Sequence, residues 1–377
     1  MEKKFLTTVE ISKNNLIHNL LEFRGILGNE VKIMGVVKSN AYGHGILEIS
    51  RILCSQGIDF LGVSSLEEGV FLRQAKINIP ILVLGYIPLS EIGEAIRNNL
   101  SFVVYNKDTI KKAVIQAKKL NKPARIHFKI ETGTNRQGVL IEKVLDFIKF
   151  VRKRPEIFIE GIYSHFANIE DTLDYTFPMK QLEIFKRAIL LIENKKISIP
   201  LKHIACSAAA ILFPQTYFNM VRIGISLYGL WPSKETKISD KNHLELRPVL
   251  TWKTKVAQIK EIKKGESVGY GRTWWASRKT KIAVLPVGYW DGYDRRLSNV
   301  GRVLIHGEFA QVVGRICMNM LMVDITDIPN VKLEDEVILI GKQGENEITI
   351  EELAQKVGTI NYEIVTRINP LLPRIVI

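Results

Sequence analysis

Eight short apolar runs punctuate the chain up to residue 229: IMGVV (33–37), FLGV (60–63), PILVL (80–84), SFVVY (101–105), RIHFKI (125–130), IFIEGIY (157–163), LKHIA (201–205) and MVRIGISLYG (220–229). Runs of this length fit strands buried in a parallel sheet. Between most of them the apolar residues recur at helical spacing, as in SSLEEGVFLRQA, DTIKKAVIQAKKL and MKQLEIFKRAILLIE. Eight strands alternating with helices over about 230 residues predict a (β/α)8 barrel.

After residue 240 the rhythm changes. TWKTKVAQIK, KIAVLPVGYW, RVLIHGEFAQVVG, MLMVDI, DEVILIG and the terminal RIVI are strand-like, and TIEELAQKV is the one clear helix among them. The expected division is a barrel over residues 1–240 and a mostly β domain over 241–377, with the boundary in the polar stretch PSKETKISDKNHLE (232–245). The strand-like FLTTVEIS precedes the first helix and lies outside the count of eight. Residues 1–12 are therefore expected to pair with the β domain.

Composition narrows the function class. The 377 residues are 46% hydrophobic and 24% charged, as in ordinary globular proteins. Lysine and arginine outnumber the acids 53 to 39, a net charge of +14, which raises nucleic-acid binding as a possibility. The excess is spread along the chain in short clusters such as Lys118-Lys119 and Lys263-Lys264, with no basic stripe interleaved with aromatics. Nucleic acid is thus not the expected partner. The N-terminus MEKKFLTTVEIS has no apolar core of a signal peptide, and no window approaches the ~18 to 20 apolar residues of a membrane span. A cytoplasmic protein without a membrane partner is expected. Cys54, Cys206 and Cys317 lack CxxC spacing and the histidines form no HExxH pair, so neither a disulfide framework nor a zinc centre is indicated.

In a barrel of this kind the chemistry sits at the C-terminal ends of the strands. Lys38 follows the first run, Lys129 and Arg136 belong to KIETGTNRQG after the fifth, and His165 lies in YSHFANIED after the sixth. Ser207 in ACSAAA follows the seventh, and Arg222, Gly224 and Ile225 lie in the eighth. Barrels often hold phosphate with the loops after strands seven and eight, where Ser207, Gly224 and Ile225 fall. A lysine across the same mouth is what an aldehyde cofactor needs for a Schiff base. The candidate cofactor is pyridoxal 5'-phosphate, since the chain has no GxGxxG after a strand and no GKS/T.

VVKSNAYGHG, KIETGTNRQG, SHFANIED, MVRIGISLYGL, VGYGRTW, PVGYWDGY, GRICMN and TINYEI, in this order and spacing, resemble the bacterial alanine racemases over essentially the whole chain. The resemblance implies a two-base racemase interconverting L- and D-alanine and supplying D-alanine for peptidoglycan. It implies that Lys38 holds the cofactor and serves as one base, and that Tyr270 is the other, reaching in from the partner subunit of a homodimer. Arg222 would face the pyridine nitrogen and His165 would stack on the ring. Tyr42, Ser207, Gly224, Ile225 and Tyr362 would hold the phosphate, and Arg136 and Met318 would approach the substrate carboxylate. The lysine matching Lys129 is carbamylated in many members, which makes Lys129 a candidate for that modification. Cys206 and Asn319 depart from the commonest pattern, which has asparagine and aspartate there.

The chemistry is consistent with these roles. Racemisation takes a proton from one face of a carbon and returns one to the other, which two opposed groups accomplish without moving. Arginine keeps its proton, so Arg222 would leave the pyridine nitrogen a weaker electron sink than a carboxylate partner would, and that disfavours transamination or decarboxylation. Each residue also has a structural alternative: Lys38 as a solvated loop lysine, His165 as a hydrogen-bonded core histidine, Arg136 and Lys129 as surface charges, Tyr270 and Tyr289 as packing tyrosines. Three other functions compete. They are a racemase of another amino acid, a fold-related decarboxylase of basic amino acids, and a non-catalytic carrier of the cofactor. The last has no use for a second proton donor.

Overall fold

The structure is a computed structural model that describes residues 5–377. By internal contacts it forms two units. One contains Leu16–Ser39 and Ile49–Arg247; the other contains the described residues up to Asn15, Asn40–Glu48 and Pro248–Ile377. The short strand β1 (Thr8–Ile11) belongs to the second.

The first unit is the barrel. Its strands are β2 (Lys32–Val36), β3 (Phe60–Val63), β4 (Ile81–Val83), β5 (Ser101–Val104), β6 (Ala124–Lys129), β7 (Ile157–Tyr163), β8 (Leu201–His203) and β9 (Met220–Ile223). They pair in the order β8-β7-β6-β5-β4-β3-β2-β9, every neighbouring pair parallel. At the seam between β8 and β9 the Arg222 N–H donates to Ala205 O (3.0 Å) and Lys202 N–H to Asn219 Oδ1 (2.8 Å). The helix-spaced stretches form helices at Leu66–Gln74, Lys107–Leu120 and Thr176–Glu193. Ser65 and Glu68 close a capping box on the first, which satisfies orphan amides at its N-terminus.

The last apolar run does not stay extended to Gly229. After Ile223 the chain turns at Gly224 into a 3-10 helix, Ile225–Tyr228, which ends at Gly229 with φ 79°. Hydropathy could not separate the two, because both strand and helix are buried. The polar stretch expected to hold the boundary contains a helix, Lys234–Ser239, which belongs to the barrel unit.

Inside the barrel, one residue from each of seven strands forms an apolar cluster: Met34, Phe60, Leu82, Val103, Tyr163, Leu201 and Met220. Strand β6 contributes no apolar member. It supplies His127 instead, fully buried and 6.4 Å from the Phe60 ring.

In the second unit β1 lies between β10 (Leu250–Lys255), antiparallel, and the C-terminal strand Arg374–Val376, parallel. This seven-stranded sheet is accompanied by a three-stranded one and by a hairpin pairing Ser267–Val268 with Trp274–Trp275. Trp252 packs against Tyr293 in its core, both nearly inaccessible. Besides the expected helix (Ile350–Val357, capped by Thr349) there is a second, Asn361–Thr366, too short to show a helical period. Among the described residues no helix is long and apolar enough to cross a membrane.

Met34 fills the barrel lumen with no exposed surface. Met34→Ala should therefore lower folding stability by about 2–5 kcal/mol, the range for a buried large-to-small change. The measurement is a drop in the urea midpoint relative to the unsubstituted chain.

Candidate active site

The chain leaves β2 with Val37 N–H on Gly62 O (2.8 Å). It then winds through a single helical turn, Lys38–Tyr42. The turn is left-handed: φ is 55°, 53°, 52° and 53° at Ser39, Asn40, Ala41 and Tyr42. Left-handed backbone costs roughly 1–2 kcal/mol for each such residue. Four in succession persist only where the surroundings hold them. In the barrel unit Ser39 N–H donates to Glu68 Oε1 (2.6 Å). In the second unit Asn40 Oδ1 accepts from Ile46 N–H (2.9 Å), and Arg374 donates to Gly43 O from Nε (3.1 Å) and Nη2 (2.8 Å). A β-carbon on Gly43 would lie 1.9 Å from Val365 O, so only glycine permits this approach to the helix Asn361–Thr366. That helix carries Tyr362, whose ring centre is 6.1 Å from that of Tyr42.

Several cations crowd the barrel end. Burial lowers the Lys38 amine below its ordinary range, and Arg136 and Arg222 lower it further while Glu68 opposes them. Lys129 is buried and donates to Gln137 Oε1 (3.0 Å). Its pKa falls to about 8, through burial first and then Arg136 and Arg222. Arg136 itself is exposed.

Arg222, 5% exposed, makes five hydrogen bonds from Nη1 and Nη2: to His203 Nδ1 (2.8 Å) and O (3.1 Å), Ser164 O (2.8 Å), His165 Nδ1 (3.1 Å) and Ile204 O (3.0 Å). Its Nε–H is the one donor that meets no described residue. Arginine only donates, so His165 must present a bare Nδ1 and carry its proton on Nε2. Burial and the arginines push the His165 pKa well below the usual imidazole value, and the ring is neutral. Nearby, Gly224 N–H donates to Ser207 Oγ (3.1 Å), which joins the loops after β8 and β9. Ile225 follows directly and is buried.

The barrel unit thus holds Lys38, Lys129, Arg136, His165, Ser207, Arg222, Gly224 and Ile225, and the second unit holds Tyr42, Tyr270, Met318 and Tyr362. Tyr270 is 71% exposed, on a turn where Gly269 and Gly271 both have φ 72°. Met318 is exposed too, with its carbonyl held by Trp290 N–H (2.9 Å). Sequence reasoning passed over His203, His127 and Glu160. A signal was present: they are polar residues inside runs that otherwise read as buried strand, where an unpartnered polar group is not tolerated.

The family description "Alanine racemase, N-terminal domain" matches residues 11–232, and "Alanine racemase, C-terminal domain" matches residues 249–376. This chain belongs to the alanine racemase family. An alanine racemase of Halothermothrix orenii is 42% identical over 368 residues, covering 98% of this chain and 96% of that one. Among solved structures, a Clostridium difficile alanine racemase in complex with cycloserine superposes with a TM-score of 0.92 at 37% identity, over 100% of this chain and 96% of the other. A histidine racemase of Leuconostoc mesenteroides superposes with a TM-score of 0.91 at 27% identity, covering 99% and 98%. The family has a barrel followed by a mostly β domain, as this chain does. Membership in the alanine racemase family makes the chain an isomerase and implies pyridoxal phosphate as its cofactor.

The electrostatics give a direct test. In bicarbonate-free buffer without cofactor, an amine assigned to Lys129 should titrate near pH 8 by lysine-selective NMR. Arg136→Ala should move that titration upward, because it removes a cation that disfavours the charged amine. A Lys129 amine titrating in the ordinary lysine range in both proteins contradicts this picture.

Proposed function

We propose that this chain interconverts L- and D-alanine with pyridoxal 5'-phosphate by a two-base mechanism, in a homodimer whose active sites are shared between subunits. The observation that carries the reading is the buried Arg222, anchored through both terminal nitrogens with one N–H left over, at the same barrel end as a lysine whose amine pKa burial lowers.

The residues present fit the cofactor. Lys38 supplies an amine that burial makes a better nucleophile than a solvated lysine. Ser207 and Gly224 bring a hydroxyl and a backbone amide together where barrels bind phosphate. Ile225, Tyr42 and Tyr362 are assigned to the same phosphate. His165 is neutral and flat for stacking, and Arg222 Nε–H is assigned to the pyridine nitrogen. When bound, pyridoxal phosphate would draw electrons from the substrate Cα and so weaken its C–H bond.

Lys38 then exchanges a proton at one face of Cα. Tyr270, extended from the partner subunit, exchanges one at the other. Its 71% exposure in the isolated chain suits a residue that works on a second copy. Arg136 and Met318 are assigned to the substrate carboxylate, with Arg136 neutralising it. Lys129 stays a candidate for carbamylation: with a pKa of about 8 part of its amine is unprotonated near neutrality, and only the free amine adds to carbon dioxide. The added carboxylate would give the neighbouring arginine an anionic partner. Arg222 in place of an acid at the ring nitrogen weighs against the decarboxylase reading. In a bacterium the D-alanine formed would serve peptidoglycan synthesis in the cytoplasm.

Wild-type protein should racemise alanine and exchange its α-hydrogen with deuterated solvent. Lys38→Ala and Tyr270→Phe should each lower kcat by about 10²–10⁴, the usual contribution of a positioned acid or base. Mixing the two inactive variants should restore activity, because a mixed dimer contains one intact pair. A panel of L- and D-amino acids including histidine decides the substrate range. No exchange with any amino acid excludes racemisation, and a decarboxylated product points to the alternative enzyme.

A further inference from the structure

The hydrogen bonding at Arg222 continues through the barrel core. His203, fully buried on β8, accepts from Arg222 Nη1 at Nδ1 (2.8 Å) and faces His127 Nδ1 with Nε2 (2.9 Å). His127, fully buried on β6, faces Glu160 Oε2 with its own Nε2 (3.1 Å). Glu160, 5% exposed on β7, also accepts from Ser101 Oγ at Oε2, and its Oε1 accepts from Arg125 Nε (3.0 Å) and pairs with Nη2 (2.9 Å). Four neighbouring strands each contribute a member to this line, and none of the residues beyond Arg222 has a role in the mechanism above.

The identity of the end groups assigns every proton between them. Arg222 can only donate, so His203 Nδ1 is bare and a neutral ring carries its proton on Nε2. That proton points at His127 Nδ1, which must then accept, leaving the His127 proton on Nε2. The ionised Glu160 carboxylate accepts it and ends the chain. A doubly protonated His127 is excluded, because it would force His203 to accept at both nitrogens. Burial, first of all causes, lowers the pKa of both imidazoles and keeps them neutral. Burial would raise the Glu160 pKa, yet donors from His127, Ser101 and Arg125 bring it down to about 2.

Two backbone features look built for this line. The β6–β7 register shifts between Ile126 and His127, a bulge that lets Glu160 turn inward. At Gly161 a β-carbon would stand 2.4 Å from His127 Nδ1, so the strand has a glycine where the imidazole needs the space.

We propose that Glu160 and His127 are positioning residues for the reaction: through His203 they hold the Arg222 guanidinium in one orientation, with its Nε–H turned to the cofactor's ring nitrogen. The proposal rests on the function given above. Glutamine at position 160 cannot satisfy both neighbours. If its oxygen faces His127, its amide donors confront Arg125. If its amide faces His127, both imidazoles must reverse, and His203 then presents an N–H to the N–H of Arg222.

The primary test needs no substitution and no cofactor. In ¹⁵N-histidine-labelled protein, His127 and His203 should each show a bare Nδ1 and a protonated Nε2, unchanged between roughly pH 5 and 9, a range in which ordinary histidines titrate. Glu160→Gln should disturb that pattern at His203, shift the absorbance band of the bound cofactor, and lower kcat roughly tenfold at nearly constant KM, as expected for one buried partner left unsatisfied. Gly161→Ala, which crowds His127 without altering any polar group, should move the same readouts in the same direction, and guards against a misfolded Glu160→Gln.

Opposite or mixed tautomers in the wild type overturn the proposal. So do variants that melt earlier but keep wild-type tautomers, cofactor spectrum and kcat per folded site, since that is a purely structural role. If the wild-type protein takes up no cofactor or racemises nothing, the proposed function fails, whereas the tautomers of the cofactor-free protein report on the hydrogen-bonded line separately.

Discussion

A guanidinium buried at the end of a barrel strand must find acceptors, and Arg222 finds five. The neighbourhood is organised by that requirement. The carbonyls of Ser164, His203 and Ile204 turn inward, and both adjacent imidazoles are kept neutral first by burial and then by the cation between them. Tyr163 stacks on His203 with ring centres 4.9 Å apart and lies 5.3 Å from the guanidinium, so aromatic faces complete the enclosure. Leaving such a charge without partners would cost several kcal/mol, which is why the line of polar residues reaches as far as Glu160.

The same barrel end gathers Lys38, Lys129 and Arg136; Arg136 lowers the proton affinity of both lysines, and Lys38 that of Lys129. Glu68 and Glu131 are the acids within electrostatic reach of the two lysines. An arrangement with this surplus of positive charge favours anionic guests. Phosphate, carboxylate and carbamate are the three that the proposed chemistry supplies, and each would relieve the repulsion among the cations.

The left-handed turn after Lys38 is a second constraint of the same kind. A right-handed continuation of β2 would send residues 39–42 elsewhere, and the observed path is held by side chains far away in sequence, Glu68 and Arg374 among them. Local preference is overruled there by tertiary contacts, a conflict expected at functional sites.

Much of the architecture was legible in the sequence, because burial on both faces of a parallel strand leaves unbroken apolar runs such as FLGV and IFIEGIY, whose ends coincide with β3 and β7. Chain order alone put Lys38, His165, Ser207 and Arg222 near one rim, since consecutive parallel strands deliver their C-terminal ends to the same side. The handedness of residues 39–42, the helix that carries Tyr362, the 3-10 turn after Gly224 and the inward Glu160 were decided only by the folded chain. Each depends on a partner distant in sequence: a carbonyl on Val365, a hydroxyl on Ser207, a bulge against β6. Hydrophobic periodicity reports whether a position is buried, and it carries no information about which polar group waits for it there.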